Sequence, residues 1–186
     1  MASAAAWQPS LMQDVPAQVH FGTKRDISVQ YSHTWAYVKT ICLGWFSVVP
    51  LLTLLHGGYF PAKKYKIGGD GETWRSLRAS QKWVAMNSPW TDDSDGFDYG
   101  AAYEAAFSPK AGGASAPPTL HVCAEGDLVL GNPVDVDRWR RRTYQTDELV
   151  TLGTDFDHSS MLTDARCDGT HFQQVLQFLR KYASAS

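Results

Sequence analysis

The chain has 186 residues, 44% of them hydrophobic, with 17 Lys and Arg against 19 Asp and Glu. A formal net charge of −2 gives no basic field for nucleic acid. A mean hydropathy of −0.30 excludes a polytopic membrane protein and leaves room for one membrane segment plus one small domain. Three cysteines, Cys42, Cys123 and Cys167, form no CxxC pair, so a zinc ribbon or disulfide scaffold is not expected; a Cys123–Cys167 bridge stays open.

Residues 1–34 read as a polar, alanine-rich N-terminal segment. No basic residue precedes Lys24, so the Arg-rich pattern of a cleaved transit peptide is missing. Ile27–Tyr31 alternates like a short strand or an interfacial strip.

Residues 35–60 read as a transmembrane helix. Thr40–Leu55 (TICLGWFSVVPLLTLL) carries no charge, and with its flanks it approaches the ~20 residues a bilayer-spanning helix needs. Trp35 and Tyr37 precede the run and Tyr59 follows it, at positions where amphipathic rings favour the headgroup layer. Lys63, Lys64 and Lys66 stand just beyond, with stems long enough to reach lipid headgroups. Gly44 and Ser47 offer a small-residue face for packing against other membrane helices, and Pro50 is tolerated in such a setting. The competing reading is a buried core element of a soluble protein, supported by Pro50 and His56.

Residues 61–118 are rich in turn signals, with helices expected at Glu72–Val84 and at Tyr99–Phe107. Such a segment is expected to become ordered on a partner. The glycines Gly68, Gly69 and Gly71 match no phosphate loop and read as a turn. The acidic stretch Asp92–Asp98 fails the calcium-loop pattern, because Ala102 falls where a bidentate Glu is required. It reads as a solvated loop.

Residues 119–186 order as strand (Thr119–Ala124), helix (Val134–Arg142), strand (Glu148–Leu152) and helix (Thr170–Tyr182), a small α/β unit. Phe172, Val175, Leu176 and Leu179 recur at helical spacing and are expected to cover Leu120, Val122, Val150 and Leu152. The basic run Arg138, Arg140, Arg141 and Arg142 reads as a solvated helix face, or as a contact for anionic lipid or an acidic partner.

Asp127 follows the first of these strands and His158 the second. An acid and a histidine placed so resemble the C-terminal portion of the α/β-hydrolases, over at most residues 80–186. That resemblance implies an acid that orients a histidine. The chain departs from the family's pattern in having no GxSxG nucleophile elbow, and an acid and a histidine alone cannot run acyl transfer. The sequence therefore predicts no complete catalytic constellation and no enzyme. His33 and His56, at opposite ends of the apolar run, cannot share one metal or haem, and no cofactor is expected.

The aromatic and basic lead-in at Trp35 and Lys39, Pro50 inside the apolar run, the exit Lys63, Lys64 and Lys66, and the Gly69-Asp70-Gly71 turn are similar to small single-pass accessory subunits of mitochondrial respiratory complexes. This second resemblance covers residues 31–75. It implies a non-catalytic, membrane-anchored subunit of the inner membrane, partnered by other subunits and lipids. The alternative is a degenerate α/β-hydrolase-like protein acting as a binding or interaction module.

Overall fold

The computed structural model describes residues 12, 14–24, 27–28, 33–65, 71–85, 90–92, 95–107, 116–143 and 147–183. Lys66, Gly68, Gly69, Asp70, Asp93 and the Val29–Tyr31 part of the expected strand lie outside them. The chain divides into two compact units. One comprises Met1–Arg25 and Pro89–Ser186, the other Asp26–Ser88.

The first unit is built on a three-stranded parallel sheet in the order β1 (Gln18–Phe21), β4 (Thr119–Ala124), β5 (Asp147–Leu152). Every residue of β4 is buried, as expected of a central parallel strand covered on both faces. On one face, Leu120, Val122 and Ala124 meet Leu152, Phe156, Met161, Cys167 and Phe178. Fully burying a side chain such as Leu120 or Val122 is worth ~1.5–3 kcal/mol. The residues between them, Thr119, His121 and Cys123, point to the other face. There His121 meets its register partner His20 edge-to-face at 5.3 Å. Burial lowers the pKa of His20 to about 4 and that of His121 to about 3, the latter also through the neighbouring His20.

Two helices, α3 (Tyr99–Phe107) and α4 (Pro133–Thr143), pack through Tyr103, Phe107 and Trp139. The basic run on α4 is ion-paired: Arg138 with Asp135, Arg140 with Asp137 and Asp147, Arg141 with Asp137, and Arg142 with Glu104. In the acidic loop, Tyr99 donates to Asp92, the Phe97 amide to Asp95 and the Ala101 amide to Asp98. Cys123 and Cys167 are both buried free thiols.

The last helix, α5 (His171–Ala183), covers the sheet, and three of the four expected residues, Phe172, Val175 and Leu179, pack against the core of Leu120, Val122 and Leu152. His171 and Phe178 are buried, Val175 and Tyr182 are half-buried, and Leu176 is 43% exposed. The expectation that Leu176 is core is therefore corrected. His171 and Phe178 form the innermost line of the helix. That turns Leu176 outward, into a cavity of about 340 Å³ shared with Phe21, Leu162 and Phe172.

The strand Gln18–Phe21 was not anticipated. It lies within the segment 1–34 that the sequence marks as polar, and the fold takes it into the sheet 101 residues from its partner, with Gln18 donating to Thr119 at 2.8 Å.

The second unit contains one long helix, α1 (Thr34–Leu55), a two-stranded ladder of β2 (Tyr59–Phe60) and β3 (Glu72–Thr73), and the helix α2 (Trp74–Val84). The expected span of 35–60 is shortened, because Gly57 and Gly58 adopt φ of +69° and +94° and turn the chain after Leu55. Wide i→i+5 turns run from Val38 to Val48, directly before Pro50. Val49 donates to Gly44, five residues back, and Pro50 has no N–H to offer the Trp45 carbonyl. The Gln81 side chain from α2 fills that place at 2.8 Å. Val49, Phe60, Ala62 and Leu77 form the core of this unit, with Trp45, Leu52, Tyr65 and Trp74 around it. Gly71 packs directly under the Tyr59 ring.

Among the sequence-singled residues of this unit, Trp35, Tyr59, Lys63 and Lys64 are exposed, and Tyr37, Gly44 and Pro50 are half-buried. Ser47 is exposed and turns its hydroxyl back onto the Cys42 carbonyl.

Candidate active site

The carboxyl ends of the three parallel strands lie on one side of the sheet, and each is followed by a turn. After β1 comes Gly22, at φ +58°, whose amide still donates to Val122. After β4 comes the turn Glu125–Gly126, held by the Asp127 amide on the Ala124 carbonyl at 3.1 Å. Gly126 lies against the carbonyls of Thr154 and Phe156, which locks the turn after β4 to the turn after β5.

These turns bring Asp127 and His158 together. His158 Nδ1 lies 2.6 Å from Asp127 Oδ2. The carboxylate side chain is 3% exposed and the imidazole 44%. A carboxylate only accepts, so Nδ1 carries a proton, and in the neutral imidazole that leaves the lone pair on Nε2. A buried acid that fixes the tautomer of a partly exposed histidine is the arrangement a general base needs.

The imidazole also reaches across β4 to the end of β1. A β-carbon on Gly22 would stand 3.2 Å from His158 Cε1 and 3.3 Å from Met161 Cε. Met161 is fully buried, and its carbonyl accepts from His171 Nε2 at 2.8 Å. On the other side, a β-carbon on Gly131 would stand 2.5 Å from Asp127 Oδ2. The loop that presents His158 is tied by Asp157, whose carboxylate accepts from the amides of Ser159 and Ser160. Those bonds, that from Ser160 first, hold its pKa below the ordinary carboxylate value. Arg166 pairs with Asp155 and Asp164 and lies 4.6 Å over the Phe156 ring.

Asp127 and His158 are the two residues singled out by sequence, and the fold joins them. Gly22, Gly131, Met161 and His171 were not singled out. The signal for the glycines was a glycine just beyond an apolar stretch, visible in HFG and LVLG. Among the described residues, no serine or cysteine hydrogen-bonds to His158, and no group of three or more His, Cys, Asp and Glu is placed to hold a metal ion.

No protein-family model matches the chain, and no curated protein matches it in sequence. Solved structures do. A lipase candidate from Acinetobacter baumannii AYE superposes with a TM-score of 0.53 at 15% identity, over 100% of this chain and 58% of its own. MGS-M2, an α/β hydrolase enzyme from a Medee basin deep-sea metagenome library, gives 0.43 at 16% identity, over 96% of this chain and 61% of its own. The fold is α/β-hydrolase-like. The chain thus spans somewhat more than half the length of the structures it resembles. The likeness agrees with the resemblance of residues 80–186 to that family, and it lends nothing to the resemblance of residues 31–75 to respiratory subunits.

Proposed function

We propose that this chain is an α/β-hydrolase-like protein in which Asp127 and His158 form the acid–histidine arm of an acyl-transfer site. The single observation that carries this reading is the 2.6 Å bond between a buried carboxylate and a partly exposed imidazole, at the carboxyl ends of adjacent parallel strands. Among the described residues β1 is an edge of the sheet, and His158 reaches to its end. On this reading a further parallel strand pairs with β1 and carries the nucleophile at its carboxyl end, where His158 Nε2 takes its proton. Asp127 holds the tautomer and stabilises the imidazolium that forms. The accessory-subunit reading is set aside, because it gives the Asp127–His158 pair nothing to do.

The test is turnover of p-nitrophenyl esters and labelling by a fluorophosphonate, on the protein isolated from its source cells. General-base catalysis is worth ~10²–10⁴-fold, so His158→Ala should lower turnover by about that factor, with Asp127→Asn also impaired. Turnover that survives both substitutions, or a wild-type protein with no turnover and no label, would reject the reading. The chain would then be a hydrolase-like binding module.

A further inference from the structure

The second unit carries an apolar surface that its own core leaves uncovered. Helix α1 has 22 residues, of which the most apolar 18 have a mean hydropathy of 1.8, yet only 17% of these are buried. Ile41, Val49 and Thr53 turn inward, whereas Leu43, Phe46, Leu51, Leu54 and Leu55 are exposed, Leu55 to 71%. Trp35, 71% exposed, stands at the start of the helix and Tyr59, 47% exposed, just past its end.

Charge is unevenly divided between the units. Residues 26–88 hold seven Lys and Arg against three Asp and Glu, a formal +4. With the whole chain at −2, the remainder is at −6. Lys39, within α1, and Lys63 and Lys64, shortly after β2, are exposed, and the helix itself has no acid.

We propose that residues 26–88 form a monotopic module that lies in the plane of an anionic lipid surface, with the exposed side of α1 at the headgroup–acyl boundary. The proposal is independent of the hydrolytic reading. An apolar stripe with aromatic residues at its ends and lysines close to it in the chain suits that boundary.

The geometry favours lying on the bilayer over spanning it. The inner side of α1 is occupied by α2, through Leu77 in the shared core and Gln81 on the Trp45 carbonyl. The outer side of α2 exposes Arg75 and Arg78. A spanning α1 would take both arginines into the hydrocarbon or lose the Gln81 bond that Pro50 makes necessary. Together, α1 and α2 make an amphipathic layer, α2 supplying the polar side that α1 lacks.

The experiment is co-sedimentation of the full chain with vesicles of pure phosphatidylcholine and of phosphatidylcholine with phosphatidylglycerol, followed by a carbonate wash. We expect binding at least ~10-fold stronger to the anionic vesicles, weakened by salt and released by carbonate. Leu51→Glu with Leu54→Glu should reduce binding at least ~10-fold while leaving the circular dichroism spectrum unchanged, since both side chains are exposed. Lys63→Gln with Lys64→Gln should remove the preference for anionic lipid, and gives a second reading if the glutamate variant misfolds. Absence of binding, or retention through the carbonate wash, would overturn the proposal. So would self-association abolished by the glutamate pair in a protein that ignores vesicles, because the surface would then belong to a second copy.

Discussion

Asp127 and His158 meet because two glycines leave them room. Gly131 stands where a β-carbon would fall 2.5 Å from the Oδ2 that bonds His158, and 2.7 Å from Gly22 Cα. Gly22, at φ +58°, lets the chain leave β1 without striking the imidazole or Met161. Each glycine keeps a side chain in place. Gly131→Ala should therefore cost ~1–3 kcal/mol in urea unfolding, the range of overpacking in a tight site. It should also detach the carboxylate, so that ¹⁵N imidazole spectra of His158 lose the Nδ1–H form, as they should in Asp127→Ala. Gly169→Ala, whose β-carbon would meet nothing closer than 3.9 Å, serves as the control and should change neither reading. A folded Gly131→Ala protein that keeps the Nδ1–H form would show that the loop yields and that Gly131 does not position the acid.

At the scale of elements, what the sequence disclosed follows from how local the cause is. TLHVCA and the alanine-rich YGAAYEAAF carry their own pattern, and both become the expected strand and helix at the expected bounds. Asp127 and His158 were legible because each follows a readable strand. Gln18–Phe21 was not, since four residues that include Gln and His hold no strong alternation, and their place is set by partners a hundred positions away. One position on α5, Leu176, was misplaced for a related reason. His171 is buried because its ring donates to the Met161 carbonyl and meets Phe21, Phe156 and Phe172, a tertiary environment that hydropathy does not encode. The corrected position makes a sharp prediction. Phe178→Ala should cost ~3–5 kcal/mol, whereas Leu176→Ala should stay within ~0.5–1 kcal/mol. Urea titrations of the two variants decide it, and equal losses would restore Leu176 to the core.

For the molecule as a whole, the decisive feature is that one unit interrupts the other. β1 is made before residues 26–88 and pairs with β4 only after them, so the sheet closes across the entire inserted unit. Such a long closure is costly in chain entropy and slow to form, and it is held by burial of β4 on both faces. The inserted unit has a separate core in Val49, Phe60, Ala62 and Leu77. Two cores predict two cooperative blocks in hydrogen exchange, with a boundary that does not follow the order of the chain. Val122→Ala should accelerate exchange in residues 18–21 together with 119–124 and 147–152, although the first segment is remote in sequence, and should leave 34–55 and 72–84 nearly unchanged. Leu77→Ala should do the reverse, loosening α1 and α2 while the sheet keeps its protection. If Val122→Ala instead leaves residues 18–21 at their wild-type rate, β1 is not part of the cooperative sheet. The unit would then be continuous from residue 89 onward, and the edge to which the proposed nucleophile strand must pair would be β4.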